Sequence, residues 1–535
     1  MRFKKFVMNK NLFSRIKNHF IRRKTIYFFL LIFFIYNINL RVIHSADNNT
    51  SWYIPLSLIK EKNFDLNEYI DYFLLNKEHI LIWREMPYYL VEKNNYVVAN
   101  NSILGSLFAL PFFILAELFF NLNFGHAIIP YLAKLTSTLL CVLSAIFIFY
   151  SVKRISSRKN SYLITMIFSF ASNVWVMASQ DLWNHTSSIF FLSMSSYILI
   201  RSIREKEFIK YLGFSLSGLF LSKSSNTIII VMLLMYVIFY YHKFIRKFFL
   251  YTTPFLTLFL VYNFFFSTNM SNLFLIFIIS LLVEFVLYLV LIFFSYFLKQ
   301  FKKKHVLIVI LSLMLLFYLS LLQIERSETI TKINIFSDFF YIIAFSSLWN
   351  YSFIKGFFGL LLSPSRGLFV FSPIFIFSFV YLFFLFRKKK IQQIDRLYFY
   401  FILSIISFFL FFSKYFHWYG GWTYGYRMII DLIPFFSILI VPSLKFVKKY
   451  FFLRIIFLTF LIISILIQII GIISYDNSWN AGIDIGCDVD SCNERVWSIS
   501  DNQILYYLQN PRINYCYISF NQKNIFCERK FLSKV

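Results

Sequence analysis

Apolar stretches separated by short polar segments recur along the chain from residue 26 to residue 473. A helix of about 20 apolar residues is long enough to cross the roughly 30 Å hydrocarbon core of a bilayer. The pattern therefore predicts an all-α polytopic membrane protein with about thirteen transmembrane helices. Their predicted positions are 26–43, 127–152, 161–180, 186–200, 211–222, 227–241, 248–268, 273–298, 306–323, 368–386, 397–413, 428–444 and 455–473.

The amino-acid composition agrees with this class. Hydrophobic residues make up 59% of the 535 residues and charged residues 15%. In soluble globular chains, about 45–50% of residues are hydrophobic and about 25% are charged. A soluble enzyme of several domains is therefore excluded.

The charge distribution predicts the orientation of the spans. The chain carries a net charge of +28 and 53 Lys and Arg residues. Most of these lie in short segments between apolar stretches, at 1–25, 153–159, 201–210, 243–247, 299–304, 387–396 and 445–454. Positive loops stay in the cytoplasm, so we expect a multi-pass protein of the inner (plasma) membrane with a cytoplasmic N-terminus and an extracytoplasmic C-terminus. A nucleic-acid partner is not expected, because no nucleic-acid-binding fold accompanies the charge.

One further apolar stretch, Ile103–Leu122, does not fit this alternation. If it crossed the membrane, every later basic loop would lie outside, so we expect a helix at the outer interface. The predicted organisation is a basic cytoplasmic N-terminus (1–25), a transmembrane domain (26–474) and an extracytoplasmic tail (475–535). The transmembrane domain includes a first outer loop with the interfacial helix (44–122) and a second outer loop (324–367).

Four cysteines lie in the predicted extracytoplasmic tail: Cys487, Cys492, Cys516 and Cys527. An oxidising compartment favours disulfides, so the tail is predicted to hold two of them. Three pairings are open, of which Cys487–Cys492 with Cys516–Cys527 is the most local.

Polar residues that are able to support chemistry lie in the predicted outer segments. Asp47 follows the first span, where a carboxylate can accept a proton from an attacking hydroxyl group. Arg366 and Arg427 lie at the outer ends of spans, and the planar guanidinium group suits phosphate oxygens. The alternatives are a helix cap for Asp47 and, for the arginines, snorkelling or an ion pair such as Arg427 with Asp431.

Two further outer segments carry candidate substrate contacts. Asp181 and His185 lie in a turn between spans, and His417, Trp418 and Trp422 precede Arg427. The tryptophans can stack on a sugar or belong to the interfacial aromatic belt. No metal site is expected, because the histidines lack a metal-ligand spacing. Asp488-Val489-Asp490 is interpreted as a polar loop between two cysteines.

The order of these motifs resembles a family. It comprises Asp47 followed by Pro55, then Leu-Leu-Leu-Ser-Pro-Ser-Arg-Gly-Leu-Phe at 360–369, then Trp-Tyr-Gly-Gly-Trp-Thr-Tyr-Gly-Tyr-Arg at 418–427 with Asp431 and Pro434. It is similar to bacterial integral-membrane glycosyltransferases of the GT-C superfamily, relatives of the protein O-mannosyltransferases and of the aminoarabinose transferase that modifies lipid A. The resemblance covers roughly residues 25–475 and includes the Gln-Asp-Leu-Trp-Asn-His turn at 180–185.

The resemblance implies a polyprenyl-phosphate sugar as donor and an extracytoplasmic glycan, lipid or protein as acceptor. It implies Asp47 as the general base, and Arg366 and Arg427 as ligands of the donor phosphate. Lys223 stands where relatives often have an arginine and is a further phosphate ligand. Some relatives have two adjacent acids in the first loop, whereas Asn48 follows Asp47 here, which does not favour a metal-dependent mechanism.

Several other classes compete with this interpretation. A lipid-linked oligosaccharide flippase, or a polysaccharide polymerase or ligase, also has many spans and outer arginines. A flippase needs a cationic cavity through the bilayer, whereas the candidate charges here gather at one face. A transporter would use a membrane acid such as Glu284, but that residue stands alone. An enzyme of this kind requires Asp47, Arg366 and Arg427 to converge at one outer cavity, whereas a scaffold does not.

Overall fold

A computed structural model describes residues 10–75, 87, 89–93, 95–244, 247–248, 251–252, 349, 351–385, 390–519 and 524–531. The predicted spans at 273–298 and 306–323, most of the span at 248–268, Glu284 and most of the second outer loop lie outside these residues. The described chain is mostly helical. Five of its helices are long and apolar enough to cross a membrane: Ile129–Ile155, Ser224–Phe244, Gln393–Phe412, Ile430–Lys449 and Phe451–Ser474. The class of helical membrane protein is supported, and the number of thirteen spans stays a prediction.

The described helices are numbered here in chain order. They are α1 (Lys10–Asn37), α2 (Asn49–Lys60), α3 (Ile70–Leu75), α4 (Leu104–Phe120), α5 (Ile129–Ile155), α6 (Arg158–Phe170), α7 (Asn184–Ser202), α8 (Leu212–Ser222), α9 (Thr227–Tyr241), α10 (Phe353–Leu362), α11 (Leu368–Phe371), α12 (Phe377–Leu385), α13 (Gln393–Phe412), α14 (Ile433–Lys449), α15 (Phe451–Ser474), α16 (Ser478–Ala481) and α17 (Gln503–Gln509). Two antiparallel hairpins complete the described chain: β1 (Leu90–Lys93) with β2 (Tyr96–Ala99), and β3 (Arg512–Ser519) with β4 (Asn524–Phe531).

The main core is a helix bundle centred on α5. This helix packs against α1, α4, α6 and α7, while α14 packs against α6 and α12, and α13 packs against α9. Small residues allow the close approach of α7 and α8. A Cβ atom at Gly218 would lie 2.2 Å from the Phe191 ring, and Ser195 donates to Ser215 at 2.9 Å. Small and hydroxyl side chains serve the same purpose in membrane helix pairs generally.

One predicted span is shorter in the structure, and the helix expected at the interface is present. The span predicted at 161–180 contains α6 only to Phe170, after which Val174–Ala178 forms a single π-helical turn. Turns of π-helix are rare in proteins, and those that occur are often found at functional sites. The stretch Ile103–Leu122 forms α4, which is 17 residues long and keeps Leu118 75% exposed. Its placement at the interface stays a prediction.

The first outer loop forms a small second core. Tyr53 on α2 stacks on Phe124 with ring centroids 4.2 Å apart, and Tyr69 stacks on the same ring at 5.0 Å. The β1–β2 hairpin joins this core through Leu90 and Val97. This packing fixes the short 3-10 turn Ala46–Asn48 that carries Asp47.

The tail follows α15 and folds back against it through α17. Cys487 and Cys492 form a disulfide. In the β3–β4 hairpin, Cys516 is the direct cross-strand partner of Cys527. That register fits the predicted second disulfide, which itself stays a prediction. The two hairpins are the described departures from an all-helical chain.

Candidate functional site

Asp47 and Arg427 form an ion pair between the first outer loop and the loop that precedes α14. Arg427 Nη2 donates to Asp47 Oδ2, and Nη1 donates to the Gly420 carbonyl oxygen at 3.3 Å. The guanidinium group lies 4.9 Å from the centre of the Trp183 ring. The side chains of Arg427 and Asp47 stay 23% and 15% exposed, so the pair is open to a ligand.

Asp431 joins two further candidate residues. His185 Nδ1 lies 2.9 Å from Asp431 Oδ1, and Lys223 Nζ donates to Asp431 Oδ2 at 3.4 Å. The sequence suggested an ion pair between Arg427 and Asp431, one helical turn apart. The structure differs: the residues at 430–432 form a 3-10 turn, Arg427 binds Asp47, and Asp431 binds His185 and Lys223.

These five residues form one group, called the ionic cluster below: Asp47, His185, Lys223, Arg427 and Asp431. The charges of Asp431, Arg427 and Asp47 all act on Lys223, and those of Asp431, Lys223 and Arg427 act on His185. Burial lowers the pKa of Lys223, and the charge of Asp431 opposes that shift. With a neutral imidazole the cluster has two cations and two carboxylates, and therefore no net charge.

Asp181, predicted to contact substrate, is fully buried. Its carboxylate accepts hydrogen bonds from Asn48 Nδ2 at 2.8 Å and from Trp52 Nε1 at 2.9 Å. The Leu182 amide donates to it at 2.7 Å, and His44 Nδ1 lies 3.3 Å away. Asp181 thus ties the first outer loop to the turn that carries His185.

The loop at 420–427 owes its shape to glycines and to Asn173. Gly425 has φ +64°, and a Cβ atom there would lie 2.7 Å from Asn173 Nδ2. That same Nδ2 donates to the Tyr424 carbonyl oxygen at 2.7 Å, and the Asn173 amide donates to Tyr426 Oη at 3.1 Å. Since Asn173 immediately precedes the π-helical turn, this contact sets the position of Arg427.

Arg366 lies apart from the ionic cluster. It is 1% exposed, and its donors reach Ser365 O at 2.8 Å, Gln503 Oε1 at 3.0 Å, Gly421 O at 3.0 Å and Asn480 Oδ1 at 2.9 Å. Burial lowers the pKa of Arg366 to about 10, so it stays a cation at neutral pH. Its observed contacts hold the tail against the membrane domain, and it has no contact with Asp47 or Arg427. The expected convergence of Asp47, Arg366 and Arg427 is therefore not observed: Asp47 and Arg427 meet, and Arg366 does not join them.

The aromatic loop also joins the tail. His417 Nε2 lies 3.0 Å from Asp490 Oδ1, and Tyr419 Oη donates to the same oxygen at 3.2 Å. Burial would raise the pKa of Asp490, but the bonds to His417 and Tyr419 lower it overall. Trp418 is 1% exposed, which leaves no ring face for a sugar, whereas Trp422 is 37% exposed.

A buried network around Lys134 was missed from the sequence. Lys134, in the middle of an apolar stretch, donates to Asn39 Oδ1 at 2.5 Å and to Gln180 Oε1 at 3.0 Å. It also donates to the carbonyl oxygen of Arg41, whose side chain binds the Ile473 and Tyr475 carbonyl oxygens. A charged residue inside a membrane helix indicates a functional role or a buried partner. Lys134 could have been selected from the sequence by this criterion.

The tail contains a cleft of about 210 Å³. Its lining includes Trp479, Asn502, Tyr506 and the ion pair between Arg495 and Asp501, whose Nε and Oδ2 atoms lie 2.8 Å apart. None of the ionic-cluster residues lines it. Among the described residues no group of three His, Cys, Asp or Glu side chains is placed to hold a metal ion.

Comparison with known proteins adds no relative. No protein-family model matches the chain, and no curated protein matches it. The likeness to GT-C glycosyltransferases therefore depends on the motifs quoted above.

Proposed function

We propose that this chain is an integral-membrane glycosyltransferase that moves a sugar from a polyprenyl-phosphate donor to an extracytoplasmic glycan, lipid or protein. One observation carries the proposal: Asp47, Lys223 and Arg427, expected from sequence to serve donor binding and proton transfer, lie in one ionic cluster. They come from three segments separated by more than a hundred residues each. A scaffold would not require that convergence.

The cluster suits the charge changes of such a transfer. A polyprenyl-phosphate sugar is a phosphodiester with one negative charge, and the departing lipid phosphate gains a second. Arg427 presents a planar fork to the phosphate oxygens, and Lys223 adds a point charge. Preorganised cations at the position where negative charge develops are a main source of catalysis.

The proposed donor site comprises Arg427 and Lys223, without Arg366. The four protein acceptors of Arg366 would have to be given up before it could bind phosphate. Of the two tryptophans expected to contact substrate, Trp422 keeps exposed surface with which it could stack on a sugar. Asp47 is the base expected from sequence, and the function needs only one proton-accepting group in the cluster.

The test is transfer of radiolabelled sugar by the purified full chain in liposomes, with a panel of synthetic polyprenyl-phosphate sugars. Arg427→Ala and Lys223→Ala should each reduce kcat/KM by about 10²–10³-fold, because each removes one charge from the transition state. Arg454→Ala is the matched control, since Arg454 is an exposed arginine at the start of α15. It should transfer at the wild-type rate.

Three results would argue against the proposal. Full activity in both cluster variants would separate transfer from the cluster. Absence of transfer by the wild type with every donor, together with movement of the lipid across the bilayer, would indicate a flippase. Extension of a glycan chain from a lipid-linked oligosaccharide alone would indicate a polymerase or ligase.

A further inference from the structure

His185 is held by one ring nitrogen only. Its Nδ1 lies 2.9 Å from Asp431 Oδ1, and the other Asp431 oxygen accepts from Lys223. The His185 side chain is 7% exposed, and Nε2 has no hydrogen-bond partner among the residues that the structure describes. An ionised carboxylate can only accept, so Nδ1 carries the hydrogen atom in this contact. Nε2 of the neutral ring then has a lone pair that is not engaged.

A carboxylate behind a histidine is a known device for proton transfer. It fixes the tautomer and the ring orientation, and it stabilises the imidazolium that forms when Nε2 takes a proton. Asp431 is suited to that task because it is fully buried and bonded through both oxygens. The sequence places these two residues 246 positions apart, so their pairing is a product of the fold.

Asp47 is in a different situation. Its carboxylate is the counter-ion of Arg427. Burial lowers the pKa of His185 to about 4, so the choice between the two residues depends on the charges that each protonation leaves behind. If Asp47 took the proton, Arg427 would lose its counter-ion. If His185 took the proton, a new cation would arise next to Lys223 and Arg427, where the leaving phosphate gains negative charge.

We infer that His185, oriented by Asp431, takes the hydroxyl proton of the acceptor, and that Asp47 is a positioning residue for Arg427. The inference rests on the proposed function. In the step, the acceptor oxygen forms a bond to the anomeric carbon of the donor sugar, and the bond from that carbon to the phosphate oxygen breaks. The electron pair of the broken bond leaves with the lipid phosphate, and the acceptor proton moves to His185 Nε2.

The experiment compares His185→Gln, His185→Ala, Asp431→Asn and Asp47→Asn in the liposome transfer assay, across pH and with a donor concentration series. His185→Gln should lower kcat by about 10²–10⁴-fold, as expected for a lost general base, with little change in the KM for donor. Added imidazole should restore part of the activity of His185→Ala. Asp431→Asn should lower kcat and shift its pH profile, whereas Asp47→Asn should mainly raise the KM for donor.

His126→Gln is the control for loss of a histidine, because His126 lies in the loop between α4 and α5, outside the ionic cluster, where its Nδ1 accepts a hydrogen bond from the Ile128 amide. Binding of a non-transferable phosphonate analogue of the donor reports folding of each variant independently of turnover. Loss of binding by His185→Gln would indicate a misfolded variant. In that case, the imidazole response of His185→Ala and the pH profile of Asp431→Asn decide whether His185 takes the proton.

The outcomes separate the two proposals. Transfer by the wild type together with retention of more than half of kcat in His185→Gln, or no imidazole response in a folded His185→Ala, would overturn the role of His185 and leave the function intact. A loss of kcat confined to Asp47→Asn would return the base to Asp47. Absence of transfer by the wild type with any donor would remove the proposed function and this inference together.

Discussion

Replacement of Asp181 distinguishes a structural carboxylate from one that contacts substrate. The sequence predicted a substrate contact, whereas the structure gives the buried carboxylate two short side-chain bonds, from Asn48 and Trp52, and one from the Leu182 amide. A hydrogen bond to a charged group contributes about 1.5–3 kcal/mol. The two side-chain bonds together therefore predict that Asp181→Ala lowers the free energy of unfolding by about 3–5 kcal/mol, the range for removing one partner of a buried charged contact.

The assay is denaturant unfolding of the purified chain in detergent, monitored by tryptophan fluorescence, because Trp52 lies in the affected loop. Asp181→Asn keeps one oxygen acceptor but turns an amide group toward the Asn48 donor, so it should cost about 1–3 kcal/mol. Asp484→Ala, an exposed acid of the tail, is the control and should stay within about 0.5 kcal/mol of the wild type. A stable Asp181→Ala with a raised KM for donor would refute the structural role and support the contact predicted from sequence.

Three further predictions concern the tail and the loops around it. Alkylation and mass spectrometry of the unreduced protein should find Cys516 cross-linked to Cys527, since they are direct partners across the β3–β4 ladder; two free thiols would contradict this. Gly359→Ala should lower the free energy of unfolding by about 1–3 kcal/mol by overpacking, because its Cβ atom would lie 2.4 Å from the Trp418 ring; unchanged thermal unfolding would be inconsistent with that packing. The pKa of Asp490 is lowered in the folded protein, so ionised Asp490 stabilises the fold at pH values above the ordinary pKa of 3.8, and this stabilisation is lost as pH falls through the folded pKa. Limited proteolysis should therefore release the tail more readily below pH 3.8, and Asp490→Asn should reduce this pH dependence.

Local patterns in the sequence were sufficient for the class of fold and for most members of the ionic cluster. The run of apolar residues between polar breaks predicts helices such as α5 and α15, and both are long enough to span a bilayer. Asp47, Lys223, Arg427 and His185 could each be selected, because they are polar residues at the ends of apolar stretches. The end of α6 at Phe170 could not be predicted, because the π-helical turn after it depends on contacts of Asn173 with Tyr424 and Tyr426, far along the chain.

Which residues of the site contact each other could not be predicted from the sequence either, because these contacts also join residues far apart along the chain. Spacing suggested Asp431 as the partner of Arg427, but spacing of four residues brings side chains together only in a continuous α-helix, and a 3-10 turn intervenes. Arg366 stands in a conspicuous Ser-Pro-Ser-Arg-Gly motif, yet three of its four acceptors come from residues 55 to 137 positions away. Burial and long-range acceptors decide whether an arginine binds a ligand or holds the fold, and neither is readable from a local motif.

The pairing within the ionic cluster explains how its charged residues are accommodated in the fold. Isolated charges are costly to bury, so each cation of the cluster has a carboxylate partner: Asp47 for Arg427 and Asp431 for Lys223. A donor phosphate can replace one carboxylate as the partner of a cation, and the exchange conserves an ion pair. Asp47 is the replaceable partner, because it and Arg427 retain exposed surface, whereas Asp431 is fully buried and also holds His185. Under the proposed function, the same asymmetry would give the two acids different tasks: Asp47 would keep Arg427 in place until a phosphate arrives, and Asp431 would keep its partners in place throughout.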